Sequence, residues 1–116
     1  MKKRQFLEKH IFSGLSNKND GFDSSKISYF TEKEFRVVLE RIEKYCCGIY
    51  GIEPFLDNEF FDIRTFESSG LECTDKNWYW KAFNDFAEKN ANLQYSATFY
   101  IPDELLFEET SLDKIQ

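Results

Sequence analysis

Apolar residues recur along the chain with two periods, and the period changes at a few sharp boundaries. Between residues 31 and 46, Phe35, Val38, Leu39, Ile42 and Cys46 follow the spacing of one helical face. Thr31 and Glu34 stand where a capping box would open that helix. Gly48 is expected to end it in the left-handed region, with Cys46 and Cys47 as small apolar residues finishing the helix. A short strand over 49–53 follows, and Pro54 argues against a long central one because proline lacks the N–H a ladder needs.

Leu56, Asp57 and Asn58 read as a turn, and residues 59–68 alternate as one strand, with Phe61, Ile63 and Thr65 opposite Phe60, Asp62, Arg64 and Phe66. After Ser68, Ser69 and Gly70, either Thr74 or Asp75 caps a second helix. Tyr79, Phe83, Phe86 and Ala87 form its apolar stripe, Trp78 and Ala82 lie beside it, and it ends near Asn90. Residues 93–101 alternate almost without fault: Leu93, Tyr95, Ala97, Phe99 and Ile101 take one face, and Gln94, Ser96, Thr98 and Tyr100 the other. That is a half-buried strand.

Pro102 closes the strand and can open a short helix, with residues 110–116 fraying. Near the N-terminus residues 3–12 read as a short helix, and the Gly, Ser, Asn and Asp stretch over 13–25 as a mobile loop. No repeat or linker divides the 116 residues, so the expectation is one α+β domain, 1–116, with helices packed on a small antiparallel or mixed sheet. With 13 Phe, 6 Tyr and 2 Trp the core has ample large side chains.

Charge changes this picture most. Of 21 acids and 15 Lys and Arg, the stretch from Glu53 to Asp75 holds seven acids and one base, Arg64. Its balance of -6 equals that of the whole chain, because the remaining acids and bases cancel. A net acidic chain repels phosphate backbones, which argues against direct nucleic-acid binding. The acidic stretch is either a solvated polar face or a surface complementary to a basic partner, such as a nuclease whose site is lined with Lys, Arg and His. On the second reading the contact residues are Asp57, Asn58, Glu59, Glu67, Glu72 and Asp75. Trp80 falls off the Tyr79 and Phe83 stripe and would be the hydrophobic anchor. Each has a plainer role: turn residues at Asp57 and Asn58, a helix cap at Asp75, a partly buried core side chain at Trp80.

Little else carries chemistry. The single histidine, His10, reads as a surface residue, and no hydrolase, nucleotide-binding, calcium or metalloprotease motif occurs. Cys46, Cys47 and Cys73 fit neither a disulfide framework nor paired metal ligands, which points to a reducing cytosol. Lys2, Lys3 and Arg4 begin the chain, but Glu8, Lys9 and His10 interrupt any signal-peptide core. No apolar run approaches the roughly 20 residues that span a bilayer. The expectation is no enzyme activity, no metal, no cofactor and no membrane contact.

Three segments carry a family resemblance: RIEKYCCGIYGIEPF (residues 41–55), DKNWYWKAF (75–83) and YSATFYIPDELL (95–106). Together they resemble immunity proteins of bacterial contact-dependent growth inhibition systems, in particular those that neutralise ribonuclease toxin domains, EndoU-type toxins among them. The resemblance implies a small cytosolic monomer that binds one toxin domain in a 1:1 complex and blocks its nuclease site, without cofactor or turnover. It supplies no contact residues, so the site assignment rests on the charge reading. An adaptor subunit using the same acidic surface is the alternative, and an aromatic-lined ligand-binding module or small enzyme stands behind it.

Overall fold

The computed structural model describes residues 1–107, and the expected fraying of 110–116 lies outside the described residues. The fold is α+β, with a five-stranded antiparallel sheet. Helix α1 (Lys3–Phe6) runs into a π-helical turn (Leu7–Ile11), and β1 (Phe30–Thr31) leads directly into α2 (Glu32–Lys44). Strand β2 (Gly48–Leu56) is followed by β3 (Glu59–Phe60), β4 (Arg64–Thr65), a 3-10 turn (Phe66–Ser69), α3 (Lys76–Lys89) and β5 (Gln94–Tyr100). Residues 103–107 are helical, as Pro102 implies. Strand order is β1-β5-β2-β3, with β4 also paired to β2.

Helix α2 forms as its pattern predicts. Thr31 accepts a hydrogen bond from the Glu34 amide, and Phe35, Val38, Leu39 and Ile42 are buried. Asp75 caps α3 through the Asn77 amide, and Trp78, Tyr79, Ala82, Phe83 and Phe86 are buried. The two helices cover one face of the sheet, where Phe35 stacks on Tyr95 at 5.1 Å and Phe83 reaches the same ring at 5.1 Å. Such pairs add about 0.5–1.5 kcal/mol each beyond the burial of their area.

Three expectations are corrected. The α2 helix ends at Lys44, and the left-handed residue after it is Cys46, at φ 57°, so Cys46 is exposed and off the helical face while Cys47 is buried. Gly48 instead belongs to β2, where a Cβ would lie 2.9 Å from the Cys73 carbonyl oxygen, so glycine serves close approach there. Second, β2 is a nine-residue central strand despite Pro54. Within a strand the N and C=O of a residue point to the same side, and the Pro54 carbonyl accepts from the Phe61 amide on the β3–β4 side. The missing N–H therefore faces the gap between β3 and β4, where the ladder is already broken. Third, residues 59–68 are two short strands and a 3-10 turn instead of one strand.

The outer face of the sheet is partly covered by residues 13–29, which contain no helix or strand. Asn19 ties this segment by donating to the carbonyls of Asp23, Ser24 and Ile27, and Asn17 accepts from the Tyr29 amide. Tyr29, buried over the sheet, donates its hydroxyl to Asp23 and meets Phe22 at 4.8 Å and Phe55 at 4.9 Å. For this reason Ser96, on the strand face expected to be polar and open, is buried. His10 is half-buried against Phe6 and Tyr45 and is not a plain surface histidine.

Candidate acidic interface

The acidic stretch forms the outer border of β2. At one end Asp57 and Asn58 make the two-residue turn between β2 and β3, with φ of 51° and 66°. Positive φ at both positions is what a type I′ hairpin turn requires, and Asp and Asn tolerate it better than most residues. Glu59 then pairs with Leu56 and Phe60 with Phe55. Farther along, β4 sets Arg64 opposite Ile52 and Thr65 opposite Gly51. Glu67 is exposed on the 3-10 turn, and Glu72 is exposed in the loop whose Cys73 carbonyl accepts from the Ile49 amide.

This register sets the spread of the acids. Glu59 lies opposite Leu56 and Cys73 opposite Ile49, so the two ends are seven β2 residues apart, roughly 23 Å at strand spacing. That exceeds the Debye length of about 8 Å at physiological salt. Asp57, Asn58 and Glu59 therefore form one cluster, and Glu72 and Asp75 a separate one, with Glu67 between them.

The only base of the stretch is withdrawn from the border. Arg64 Nη1 donates to Asp85 Oδ2 at 2.8 Å, and its guanidinium lies 5.2 Å from the Phe86 ring centre on α3. Arg64, and Lys81 at 3.3 Å, hold the Asp85 carboxyl below the usual carboxylate range. Asp62 is offset by Lys89 at 3.9 Å. What remains facing outward at Asp57, Glu59, Glu67 and Glu72 is exposed carboxylate with no ion pair among the described residues. Asp75 has its side chain engaged as the α3 cap.

Trp80 is not brought to this border. Its Nε1 donates to Glu43 Oε1 at 3.0 Å, and its ring meets Phe83 at 6.1 Å, which makes it part of the seam between α2 and α3. Exposed apolar side chains on the border are instead Phe60 (58% exposed), Ile63 (51%) and Leu71 (41%). Adjacent Phe60 and Phe61 held the one sequence signal for this, because neighbours in a strand point to opposite faces. Ile63 and Leu71 gave none: the breaks that expose them are set by the tertiary fold.

Glu53 had no part in the predicted site. It sits half-buried on the outer face of β2, opposite Ser96, whose hydroxyl donates to the Glu53 main-chain carbonyl. Burial, and then the charge of Asp23, push its carboxyl above the ordinary range. Among the described residues no group of three or more His, Cys, Asp or Glu side chains is placed to hold a metal ion, and no helix is long and apolar enough to cross a membrane. The chain matches no protein-family profile, no curated protein and no solved structure.

Proposed function

We propose that this chain is an immunity protein that binds a nuclease toxin domain, a ribonuclease by the resemblance of its segments, and blocks the basic active site in the cytosol of the producing cell. The observation that carries the reading is a border on which unpaired carboxylates alternate with exposed Phe60, Ile63 and Leu71. A merely solvated polar face needs no large apolar side chains among its charges. An interface does, because apolar anchors supply most of the affinity and the surrounding charge supplies steering and selectivity.

On this reading Asp57, Glu59, Glu67 and Glu72 meet Lys and Arg that would otherwise hold RNA phosphates. Phe60 and Ile63 replace Trp80 as the anchors, while the Asp75 side chain holds the start of α3 as its cap. Inhibition is stoichiometric, 1:1, and requires neither cofactor nor turnover.

The test is titration into an RNA-cleavage assay with the toxin domain encoded beside this chain, with an unrelated ribonuclease as control. Loss of cleavage at one equivalent, for the neighbouring toxin alone, is the expected result. Tight binding without loss of cleavage would replace the reading with an adaptor role, and no binding would overturn it.

A further inference from the structure

On the outer face of the sheet, between the acidic border and residues 13–29, lies a cleft of about 330 Å³. Its floor includes Gly51 and Ser96, its walls Tyr50 and Ile63, and its two carboxylates are Glu53 and Glu67. Apart from Tyr50 and Glu53, the strand positions that line the cleft are Gly51, Thr65, Ser96, Ala97 and Thr98, all small, which leaves the sheet face open to a planar group. We infer that this cleft is the specificity pocket of the acidic surface and receives one arginine side chain of a basic protein partner. This rests on the proposed function and names the group recognised.

Three observations, two on β2 and one on the 3-10 turn, converge. Glu53 is half-buried, and no cation among the described residues pairs with it. A carboxylate that has lost part of its water without gaining a counter-ion raises its own energy, seen here as a carboxyl shifted upward, so a cation arriving from outside recovers that loss. Glu67, supplied by the 3-10 turn, lines the same cleft, so two carboxylates from two elements are available to one group. Tyr50, 39% exposed, offers an aromatic wall, and its ring already has the Lys3 ammonium at 5.8 Å.

Guanidinium fits this set better than ammonium. Its planar fork can donate to two carboxylates at once, it lies flat on an aromatic ring, and it is more weakly hydrated, so entering the cleft costs it less. The adjoining cleft of about 490 Å³ shares Ile27, Ala97 and Thr98 with this one but is lined by Lys3, Arg4 and Lys26 against one acid, Glu8, which pairs with Arg4. A cation is thereby directed to the Glu53 side of β5 and away from the α1 side.

The test uses the intact chain and the capped tripeptide acetyl-Gly-Arg-Gly-amide, followed by amide chemical shifts. The isosteric citrulline peptide and the lysine peptide serve as controls. Saturable shifts centred on Gly51, Thr65 and Ser96 to Thr98 are expected for the arginine peptide. They should be about tenfold weaker for citrulline, which keeps the shape and loses the charge, and be lost in Glu53→Gln. Equal response to citrulline, shifts confined to the hairpin or to the Lys3 side, equal or stronger response to lysine, or no saturable shift would each overturn the inference. Nuclease inhibition measured in parallel separates the two claims. A chain that inhibits its toxin but ignores the arginine peptide loses the pocket and keeps the function, whereas one that takes the peptide but inhibits no toxin loses the function and keeps the pocket.

Discussion

The indole Nε1 of Trp78 donates a 2.9 Å hydrogen bond to the main-chain carbonyl of Ile49, at the end of β2 where β3 and β4 do not reach. The Ile49 amide is satisfied by the Cys73 carbonyl on the same side. A side chain from α3 and a loop carbonyl thus stand in for the strand that is missing there, and they fix α3 against the sheet. Both partners are buried, so the bond cannot be replaced by water without loosening the packing.

Trp78→Phe should accordingly cost about 2–4 kcal/mol, from an orphaned buried carbonyl together with the space left by the smaller ring. Trp80→Phe, half-buried and bonded to the exposed Glu43, should cost less than about 1 kcal/mol. Urea unfolding followed by far-ultraviolet circular dichroism distinguishes the two. Equal midpoints for both variants would mean that Trp78 does not tie α3 to β2.

Gly48 gives a second test of the same junction. An added Cβ would meet the Cys73 carbonyl oxygen at 2.9 Å, and that oxygen already accepts the Ile49 amide, so the loop cannot retreat without breaking a bond. Gly48→Ala should destabilise by about 1–3 kcal/mol. Gly51→Ala meets only ordinary contacts, at 3.6 Å to Arg64 and Thr65, and should stay within about 1 kcal/mol of the parent. Thermal midpoints of the pair check the order.

These two positions also mark how far the chain could be read unaided. Helices α2 and α3 were legible because caps, Thr31 and Asp75, and apolar spacing agreed with each other. Strand β5 was legible from its alternation, but not the burial of Ser96, which depends on Tyr29 arriving from a segment distant in sequence. Pro54 misled because the rule against proline in a central strand assumes an intact ladder on both sides, and here one side is interrupted at that residue. Gly48 misled because left-handed geometry and close approach both select glycine, and local sequence does not separate them. In the candidate site the acids were visible as a run of charge. The inward turn of Arg64, the outward turn of Ile63 and the half-burial of Glu53 follow from pairing with Ile52, from the break after Phe60 and from the cover over the sheet.

Glu53 makes stability depend on pH in a direction opposite to that of a salt-bridged acid. Its folded carboxyl is raised, first by burial and second by Asp23, so ionisation opposes folding. That cost is absent below the ordinary glutamate range and is fully present once pH exceeds the raised folded value. The groups around it are Asp23 and Tyr29 from the covering segment, Tyr50 on β2, Glu67 on the 3-10 turn and Lys3 of α1 over Tyr50. Glu53→Gln should be more stable than the parent at pH 7.5, and the advantage should vanish as pH falls toward 4. Urea midpoints at the two pH values measure it, and a pH-independent difference would assign the effect to packing alone.

Steering and anchoring on the acidic border separate kinetically. Glu59 and Glu67 are exposed and unpaired, so Glu59→Lys with Glu67→Lys should slow association with the toxin domain by about tenfold at low salt and flatten its dependence on ionic strength. Phe60→Ala with Ile63→Ala leaves the charge intact and should leave association nearly unchanged while dissociation quickens about tenfold or more. Trp80→Ala, in the α2–α3 seam, should alter neither rate. Stopped-flow association at two salt concentrations and chase-initiated dissociation read the three variants side by side. Association insensitive to the double charge reversal would remove the border as the steering surface, and fast dissociation from Trp80→Ala alone would move the anchor from the sheet edge to the helical seam.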